Sequence, residues 1–294
     1  MIVSASRRTD LPAVHAGWLL DRLAAGFAEV RHPFAPSRVR RVDLVPAPAG
    51  SLEALVLWTR NPAPLLEEVP RWEAAGLRTL WLVTLTGYPR PLEPRSPPPE
   101  EAAAALRLLG SLVGSARIAW RYDPVLLCPS LGMDVRWHLG NFRRLAALLE
   151  GAAGRCIVSL YDDYPKARRR LAAAGLAPAP AADAASLLSA LAEEARGGGI
   201  PLQACCEAEL PADVPPGSCI DGPLLDRLWD LGVGSRRDPG QRAGCRCAPS
   251  VDIGAYDTCT HGCLYCYATR RHGERPPSTS TETARDPAGR GPNP

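Results

Sequence analysis

Apolar segments of strand length alternate with amphipathic segments along the first two thirds of the chain. The apolar segments lie at 2–6, 54–58, 79–85, 117–120, 156–160 and 201–204. Segments with apolar residues at helical spacing lie between them, at 12–26, 64–75, 100–113, 135–150 and 183–196, with further helical turns up to 174. Alternation of this kind predicts a parallel sheet built from βα units.

At least six such units in a single run predict a βα barrel, or part of one, of the TIM type. A doubly wound open sheet is the alternative arrangement of the same elements. No strand, however, is followed by the glycine-rich turn that binds phosphate groups in many doubly wound proteins. The triple glycine at 197–199 precedes a strand, so we interpret it as a helix end. The predicted fold class is therefore α/β.

Polar clusters directly follow five of the apolar strands. In βα barrels the carboxyl ends of the strands form the active-site face, so these clusters predict one polar basin. Each cluster alone is also explained by a helix cap or a surface ion pair. We interpret Arg121, Asp123 and Tyr88 as candidate catalytic residues, and the arginines favour a small anionic substrate. The clusters are Arg7, Arg8 and Asp10; Thr59, Arg60 and Asn61; Thr86 and Tyr88; Arg121 and Asp123; and Tyr161 and Asp162.

Three cysteines lie close together near the end of the chain, in the order Cys-x3-Cys-x2-Cys at Cys259, Cys263 and Cys266. Three thiolates from one short loop can hold three irons of a [4Fe-4S] cluster, which normally takes four cysteines. The fourth iron then stays open for a small ligand. A zinc site is the alternative, because His261 or a further cysteine could complete a closed tetrahedral set.

The remaining cysteines suggest a second metal site. Cys206, Cys219, Cys245 and Cys247 form a candidate set of four, for which Cys205 competes with its neighbour Cys206. Four thiolates would hold an auxiliary [4Fe-4S] cluster or a structural zinc ion. The alternative is that they are unligated thiols. Cys128 and Cys156 are interpreted as structural.

Composition limits the class of protein and divides the chain. A hydrophobic content of 46% and a charged content of 22% are ordinary for a folded domain, and a net charge of +3 argues against nucleic-acid and membrane binding. We expect a cytoplasmic protein, because no export signal opens the chain and ten cysteines suit a reducing compartment. The predicted parts are βα-barrel units at 1–204, a cysteine-rich segment with the last strand at 205–270, and a disordered tail at 271–294.

The cysteine loop, with an aromatic residue at Tyr265, resembles the cluster loop of the radical S-adenosylmethionine (SAM) superfamily. The resemblance implies that the open iron chelates SAM and that the reduced cluster cleaves it to a 5′-deoxyadenosyl radical. The resemblance also implies that residues of the polar basin at the strand ends bind SAM. No Gly-Gly-Glu triplet of the kind that contacts the SAM amino group in many of these enzymes is present. Candidate SAM-binding residues are Arg7, Arg8, Asp10, Arg60 and Tyr265, and Trp58 or Trp120 would stack on the adenine.

In that superfamily the cluster loop follows the first strand of the barrel, whereas here the matching strand, within 250–256, comes last. A circularly permuted barrel reconciles the two orders, because it places this strand beside the first one.

Over nearly its whole length the chain is also similar to a bacterial family, DUF1848. This second resemblance implies the fold and the cluster rather than a reaction. The motifs that carry it are Ser4–Asp10, Trp58–Pro62, Thr84–Tyr88, Trp120–Pro124, Cys219–Gly222, Asp252–Tyr256 and the cysteine loop through Ala268.

These observations predict an iron–sulfur enzyme of the radical SAM type, reduced by a ferredoxin or flavodoxin and acting on a small-molecule substrate. One alternative is an iron–sulfur protein that does not use SAM, with the open iron acting as a Lewis acid or in electron transfer. The other is a zinc-dependent module that binds nucleic acid through its arginines, which the low net charge disfavours.

Overall fold

A computed structural model describes residues 1–33 and 35–269, and the predicted tail at 271–294 lies outside these residues. The described part contains nine strands: β1 (Ile2–Ala5), β2 (Phe27–His32), β3 (Ala35–Asp43), β4 (Ala54–Thr59), β5 (Thr79–Thr84), β6 (Ile118–Val125), β7 (Arg155–Leu160), β8 (Leu202–Ala204) and β9 (Val251–Asp252). It also contains eight α-helices: α1 (Leu11–Val14), α2 (Ala16–Ala25), α3 (Val69–Ala74), α4 (Pro99–Val113), α5 (Val135–Leu149), α6 (Pro165–Ala173), α7 (Ala184–Gly197) and α8 (Gly222–Trp229).

Seven of the strands form one sheet in the order β8-β7-β6-β5-β4-β1-β9, and all neighbouring pairs are parallel. The predicted α/β class and parallel sheet are confirmed. Within the described residues the sheet is open, because β8 and β9 are its two edges and do not pair with each other. These edge strands have only three and two residues. A closed barrel is therefore not formed by the described part of the chain.

The last strand lies beside the first, although almost the whole chain separates them. Val3 is paired with Val251 and Ser4 with Asp252. The strand is shorter than the 250–256 expected from the sequence. A Cβ atom at Gly254 would overlap the Ser6 side chain, so glycine allows the chain to pass close to the end of β1.

The Asp252 carboxylate joins these two strands. It accepts hydrogen bonds from the Ser4 hydroxyl at 3.0 Å and the Ser6 hydroxyl at 2.7 Å. It also accepts from the backbone N–H groups of Arg7 at 2.8 Å and Gly254 at 3.0 Å. All four partners are donors, which suits a carboxylate that only accepts.

Replacing Asp252 with asparagine should therefore destabilise the fold. The new amide group would direct N–H donors at partners that also donate, so we expect the free energy of unfolding to fall by about 2 kcal/mol. Urea titration measures the change. Asp21→Asn, at an exposed position on α2, is the control and should change it by less than about 0.5 kcal/mol. Equal stabilities of the two variants would contradict the proposed joining role.

Helices α4, α5 and α7 cover one face of the sheet. Alternate strand residues such as Leu57, Val83 and Trp120 point to this face and pack with buried residues of α4, α5 and α7 in the largest apolar cluster. Aspartates begin several of these helices: the Asp134 carboxylate accepts from the Trp137 N–H at 2.8 Å, for example. The strand order does not reverse, so helical connections follow one another around a single face as in a barrel wall.

The cysteine-rich segment covers the opposite face. Val56, Leu82 and Ala119 pack there against Ile220 and Leu225, the latter on α8. Because both faces of the sheet are covered, its strands are nearly continuously apolar in sequence. No helix within the described residues has the length and apolar character needed to span a bilayer.

Three features differ from the elements expected from the sequence. β2 and β3 form an antiparallel hairpin where a loose, proline-bearing segment was expected, since their arginines are exposed and obscure the strand pattern. Helix α8 was not expected. β6 continues to Val125, five residues beyond the predicted end at Trp120, so Arg121 and Asp123 lie within the strand.

Candidate functional site

A cavity of about 640 Å³ lies at the carboxyl ends of the parallel strands. We call it the strand-end cavity. All seven strands of the large sheet contribute residues to it, either from their last positions or from the segments that follow. The strand ends thus meet as the parallel arrangement requires. Its lining includes Ser6, Thr59, Thr84, Asp123, Leu160, Cys205 and Asp252.

The three loop cysteines, Cys259, Cys263 and Cys266, all line this cavity. Long-range contacts hold their backbone in place. Leu264 donates its N–H to the Leu92 carbonyl at 3.0 Å, and the Arg170 guanidinium donates to the carbonyls of Leu264, at 3.0 Å, and Cys266. Arg170 lies on α6, so a helix far away in sequence fixes the loop.

A buried acid connects the loop with β1 and β4. The Asp10 carboxylate accepts from His261 in the loop at 2.8 Å and from the Arg60 backbone N–H at 2.7 Å. It also caps α1 through the Ala13 N–H at 3.0 Å. Asp10, which was predicted to bind SAM, also lines the strand-end cavity.

Arg60 lies below the loop in a network of buried polar side chains. Its guanidinium is 2.8 Å from the Glu93 carboxylate and also donates to the Tyr265 hydroxyl, which in turn donates to Glu93. The Thr86 hydroxyl donates to the same carboxylate at 2.6 Å. Arg60 and Tyr265, both expected to contact SAM, are thus tied to each other and to Glu93, and both also line the strand-end cavity.

The charges of this network shift the pKa values of its members. Burial alone would lower the pKa of Arg60, but Cys263 and Glu93 outweigh it and the pKa lies well above its usual value. Burial raises the pKa of Cys263, and Arg60 offsets this only in part. Burial also raises the pKa of Cys259, to about 11. Metal binding by these two thiols would therefore displace protons.

Five further cysteines line the same cavity: Cys205, Cys206, Cys219, Cys245 and Cys247. All ten cysteines of the chain are free thiols. No group of three or more His, Cys, Asp or Glu side chains within the described residues is arranged around a single metal-ion position. A [4Fe-4S] cluster binds one cysteine at each iron, so its ligands are not required to meet at one point.

Two arginine side chains lie close to the Trp58 ring on the cavity wall. The Arg7 and Arg121 guanidinium carbons are 5.4 Å and 4.9 Å from the centre of its ring. Three buried N–H groups of these side chains, Arg7 Nη2, Arg121 Nε and Trp58 Nε1, have no hydrogen-bond partner. Unpartnered buried donors beside a cavity suit an acceptor-rich ligand.

Arg121, Asp123 and Arg8, which were also predicted to act in catalysis or ligand binding, line the strand-end cavity. Arg121 is paired with Asp123, which also accepts from the Ser159 hydroxyl, and all three line the strand-end cavity. Arg8 lies at the rim, 5.4 Å from the Tyr256 ring centre, and donates to the Gly254 carbonyl at 3.3 Å.

Tyr88 and Trp120 do not line the strand-end cavity. The Tyr88 hydroxyl donates to the Pro124 carbonyl at 2.6 Å and accepts from the Leu126 N–H at 3.0 Å, which is a supporting role. Trp120 is fully buried and stacks on Phe142 with 4.6 Å between the ring centres.

His138 lies beside these aromatics and should make stability depend on pH. Its ring accepts from the Tyr122 hydroxyl at 2.8 Å and faces the Leu126 carbonyl at 3.0 Å, and burial lowers its pKa from 6.5 to about 4. Between these values the unfolded chain binds a proton that the folded chain does not. The stabilisation is therefore complete above about pH 6.5 and decreases as the pH falls towards 4, by about 3 kcal/mol in all.

Urea titrations from pH 7 to 4.5 measure this dependence. His138→Gln keeps a donor and an acceptor but does not titrate, so its stability should decrease less over the same range. Parallel curves for the two proteins would contradict a neutral, buried His138.

Comparison with known proteins identifies a family. No curated protein and no solved structure is significantly similar to the chain. A family model described as Domain of unknown function (DUF1848) matches residues 2–268. This range includes every strand of the sheet and all the cysteines that line the strand-end cavity. The resemblance to DUF1848 noted in the sequence is thereby confirmed, and the chain belongs to the DUF1848 family.

Proposed function

We propose that the protein is an iron–sulfur enzyme of the radical SAM type, with a [4Fe-4S] cluster held by Cys259, Cys263 and Cys266. One observation carries the proposal most: three thiols of one loop face a polar cavity at the carboxyl ends of a parallel sheet. With three protein ligands, one iron is left open for SAM.

The residues around the loop cysteines suit such a group. The cysteines are free thiols, and the loop backbone is fixed by Arg170 and Leu92 rather than by the sulfurs. Below the loop, Arg60 places a buried positive charge beside Cys263, which would stabilise a cluster with thiolate ligands. When bound and reduced, a cluster of this kind supplies the electron that cleaves SAM homolytically.

The architecture supports the same proposal. The single-sided winding and the pairing of β9 with β1 correspond to part of a barrel in which the cluster loop follows a strand beside the first strand. We therefore propose a partial βα barrel of the radical SAM kind whose chain order is circularly permuted. A complete barrel would require the two edge strands, β8 and β9, to be joined, and these strands have only three and two residues.

The cavity beside the loop would bind SAM and a small substrate. Arg7 Nη2, Arg121 Nε and Trp58 Nε1 are the groups with unused donors, so we assign them to anionic or acceptor-rich parts of these ligands. Trp58 would also offer a ring for stacking. Asp10 and Arg60 line the same cavity, and their contacts with His261 and Glu93 also hold the loop.

Anaerobic purification with iron, sulfide and zinc counts tests the proposal, together with electron paramagnetic resonance of the dithionite-reduced protein before and after addition of SAM. We expect iron and sulfide and a reduced signal that SAM changes. Iron with a signal indifferent to SAM would favour a redox or Lewis-acid iron–sulfur protein. A protein that contains zinc and no iron would rule out both the radical SAM enzyme and the iron–sulfur protein that does not use SAM.

A ligand test follows from the position of Trp58. Trp58→Leu is expected to weaken SAM binding to the cluster-loaded protein by about tenfold, because stacking contributes on the order of 1–3 kcal/mol. Isothermal titration with SAM measures the affinity. Trp229→Leu on α8, outside the lining of the strand-end cavity, is the control. Equal affinities in both variants would contradict the assignment of Trp58.

A further inference from the structure

Four of the upstream cysteines form a continuous series of sulfur contacts. The Cys219 sulfur is 3.9 Å from the Cys205 sulfur. Cys247 continues the series, because its sulfur contacts the backbone beside Cys219, at Ile220, and its own N–H contacts the Cys245 sulfur. These residues come from three separate stretches, one after β8, one before α8 and one before β9. The fold therefore assembles four thiols that are far apart in sequence.

Backbone amides and a guanidinium surround these sulfurs. The Ile220 N–H is 3.4 Å from the Cys247 sulfur, and the Cys247 N–H is 3.5 Å from the Cys245 sulfur. The Arg7 guanidinium also interacts electrostatically with Cys247. Donors aimed at sulfur stabilise thiolates, which are the form in which cysteine binds metals.

Cys205 and Cys206 are adjacent, but only one directly contacts the series. Cys205 touches Cys219. Cys206 has a left-handed backbone with a φ of 63°, and its side chain contacts Arg242, which is paired with Asp162. Cys206 interacts with Cys205 and electrostatically with Cys245. The sulfur contact between Cys205 and Cys219 favours Cys205, whereas the candidate set drawn from the sequence contained Cys206.

We propose that Cys205, Cys219, Cys245 and Cys247 form a second metal centre with four thiolate ligands, separate from the loop cysteines. Four protein ligands leave no open position, so this centre holds the cysteine-rich segment in place or transfers electrons, and does not bind substrate. A zinc ion and a [4Fe-4S] cluster both take four thiolates, but a zinc ion would have to draw the four sulfurs to a single position, which they do not surround within the described residues. On binding, each thiol gives up its proton and forms one metal–sulfur bond.

The test uses the full chain with the three loop cysteines replaced by serine, so that only the second centre contributes metal. We expect the anaerobically purified protein to retain about one zinc, or about four irons with sulfide, per chain. The metal count and the spectrum distinguish these two forms, and either supports the proposal. If the full chain with the three loop cysteines replaced by serine contains no metal, the proposal of a second metal centre is wrong. Because the loop cysteines are absent, this result is independent of the proposed radical chemistry.

Matched variants in this background then test the ligand set. Cys205→Ser should lose most of the metal, whereas Cys206→Ser and Cys156→Ser, the latter at a buried position in β7, should retain it. If Cys206→Ser loses its metal while Cys205→Ser retains it, the proposed ligand set is wrong. Equal loss of metal in the two variants would contradict it as well.

Thiol labelling provides a second measurement that needs no cysteine variant in the second centre. Alkylation of the folded, metal-loaded protein, read by mass spectrometry, should modify Cys206 at least about tenfold faster than Cys205, since a metal-bound thiolate is protected. Removal of the metal with a chelator should abolish this difference. Equal labelling before chelation would overturn the proposal even if Cys205→Ser fails to fold.

Discussion

Cys263→Ser is expected to remove about four irons per chain from the anaerobically purified protein, which is the content of one [4Fe-4S] cluster. Cys263 is buried, whereas Cys259 and Cys266 are partly exposed, and the positive charge of Arg60 offsets part of the rise that burial causes in the pKa of Cys263. Serine is similar in size but is a poor iron ligand. Iron and sulfide analysis measures the loss, and any SAM-dependent signal should disappear with it.

The matched control is Cys128→Ser. Cys128 is equally buried but does not line the strand-end cavity, so its replacement should leave iron and the SAM response unchanged. An iron content in Cys263→Ser equal to that of the wild-type protein, or equal loss in both variants, would show that the loop does not hold the cluster.

Arg60→Met is expected to lower the free energy of unfolding by about 3–5 kcal/mol, because it leaves the buried Glu93 carboxylate without its cation. Only 12% of the Arg60 side chain and 3% of the Glu93 side chain are exposed, so solvent offers little compensation. The Tyr265 hydroxyl would also lose a partner. Urea unfolding of the metal-free protein measures the effect.

Two controls separate this effect from a general loss of charge. Arg143→Met breaks an ion pair with Glu194 whose arginine is 70% exposed, and should lower the free energy of unfolding by less than about 1 kcal/mol. The double variant Arg60→Met with Glu93→Leu should be more stable than Arg60→Met alone, since it removes the unpaired acid. If Arg60→Met behaves like Arg143→Met, the network does not support the loop.

The sheet and its polar end could be predicted from local patterns. Strand-length apolar segments such as 54–58 and 79–85 lie at the positions of β4 and β5, because strands buried on both faces are nearly continuously apolar. Once these strands are parallel, their polar ends must meet at one edge. The adjacency of β9 and β1 followed from the order of the elements and not from any pairing signal.

The supporting residues of the site could not be predicted in the same way. Glu93 is an isolated acid in a proline-rich loop, and its role depends on Arg60 and Tyr265, which are distant in sequence. Arg170 belongs to an amphipathic helix that looks like any other helix in sequence. Tertiary contacts alone give these side chains their partners.

The sequence also does not decide which of two adjacent cysteines, Cys205 or Cys206, belongs to the second metal site. Nothing in the sequence distinguishes Cys205 from Cys206, because both follow β8 directly. Their side chains diverge through the left-handed backbone at Cys206, an uncommon conformation for a residue other than glycine. Conversely, Tyr88 matched the polar pattern of a strand end but is used to hold the backbone at Pro124 and Leu126.

Formation of 5′-deoxyadenosine from SAM is the most direct test of the proposed function. The cluster-loaded, dithionite-reduced protein is incubated with SAM under anaerobic conditions, and the products are measured by chromatography and mass spectrometry. We predict that 5′-deoxyadenosine accumulates with the wild-type protein and not with Cys263→Ser. Its absence from a wild-type sample containing a full complement of iron and sulfide would contradict radical SAM chemistry.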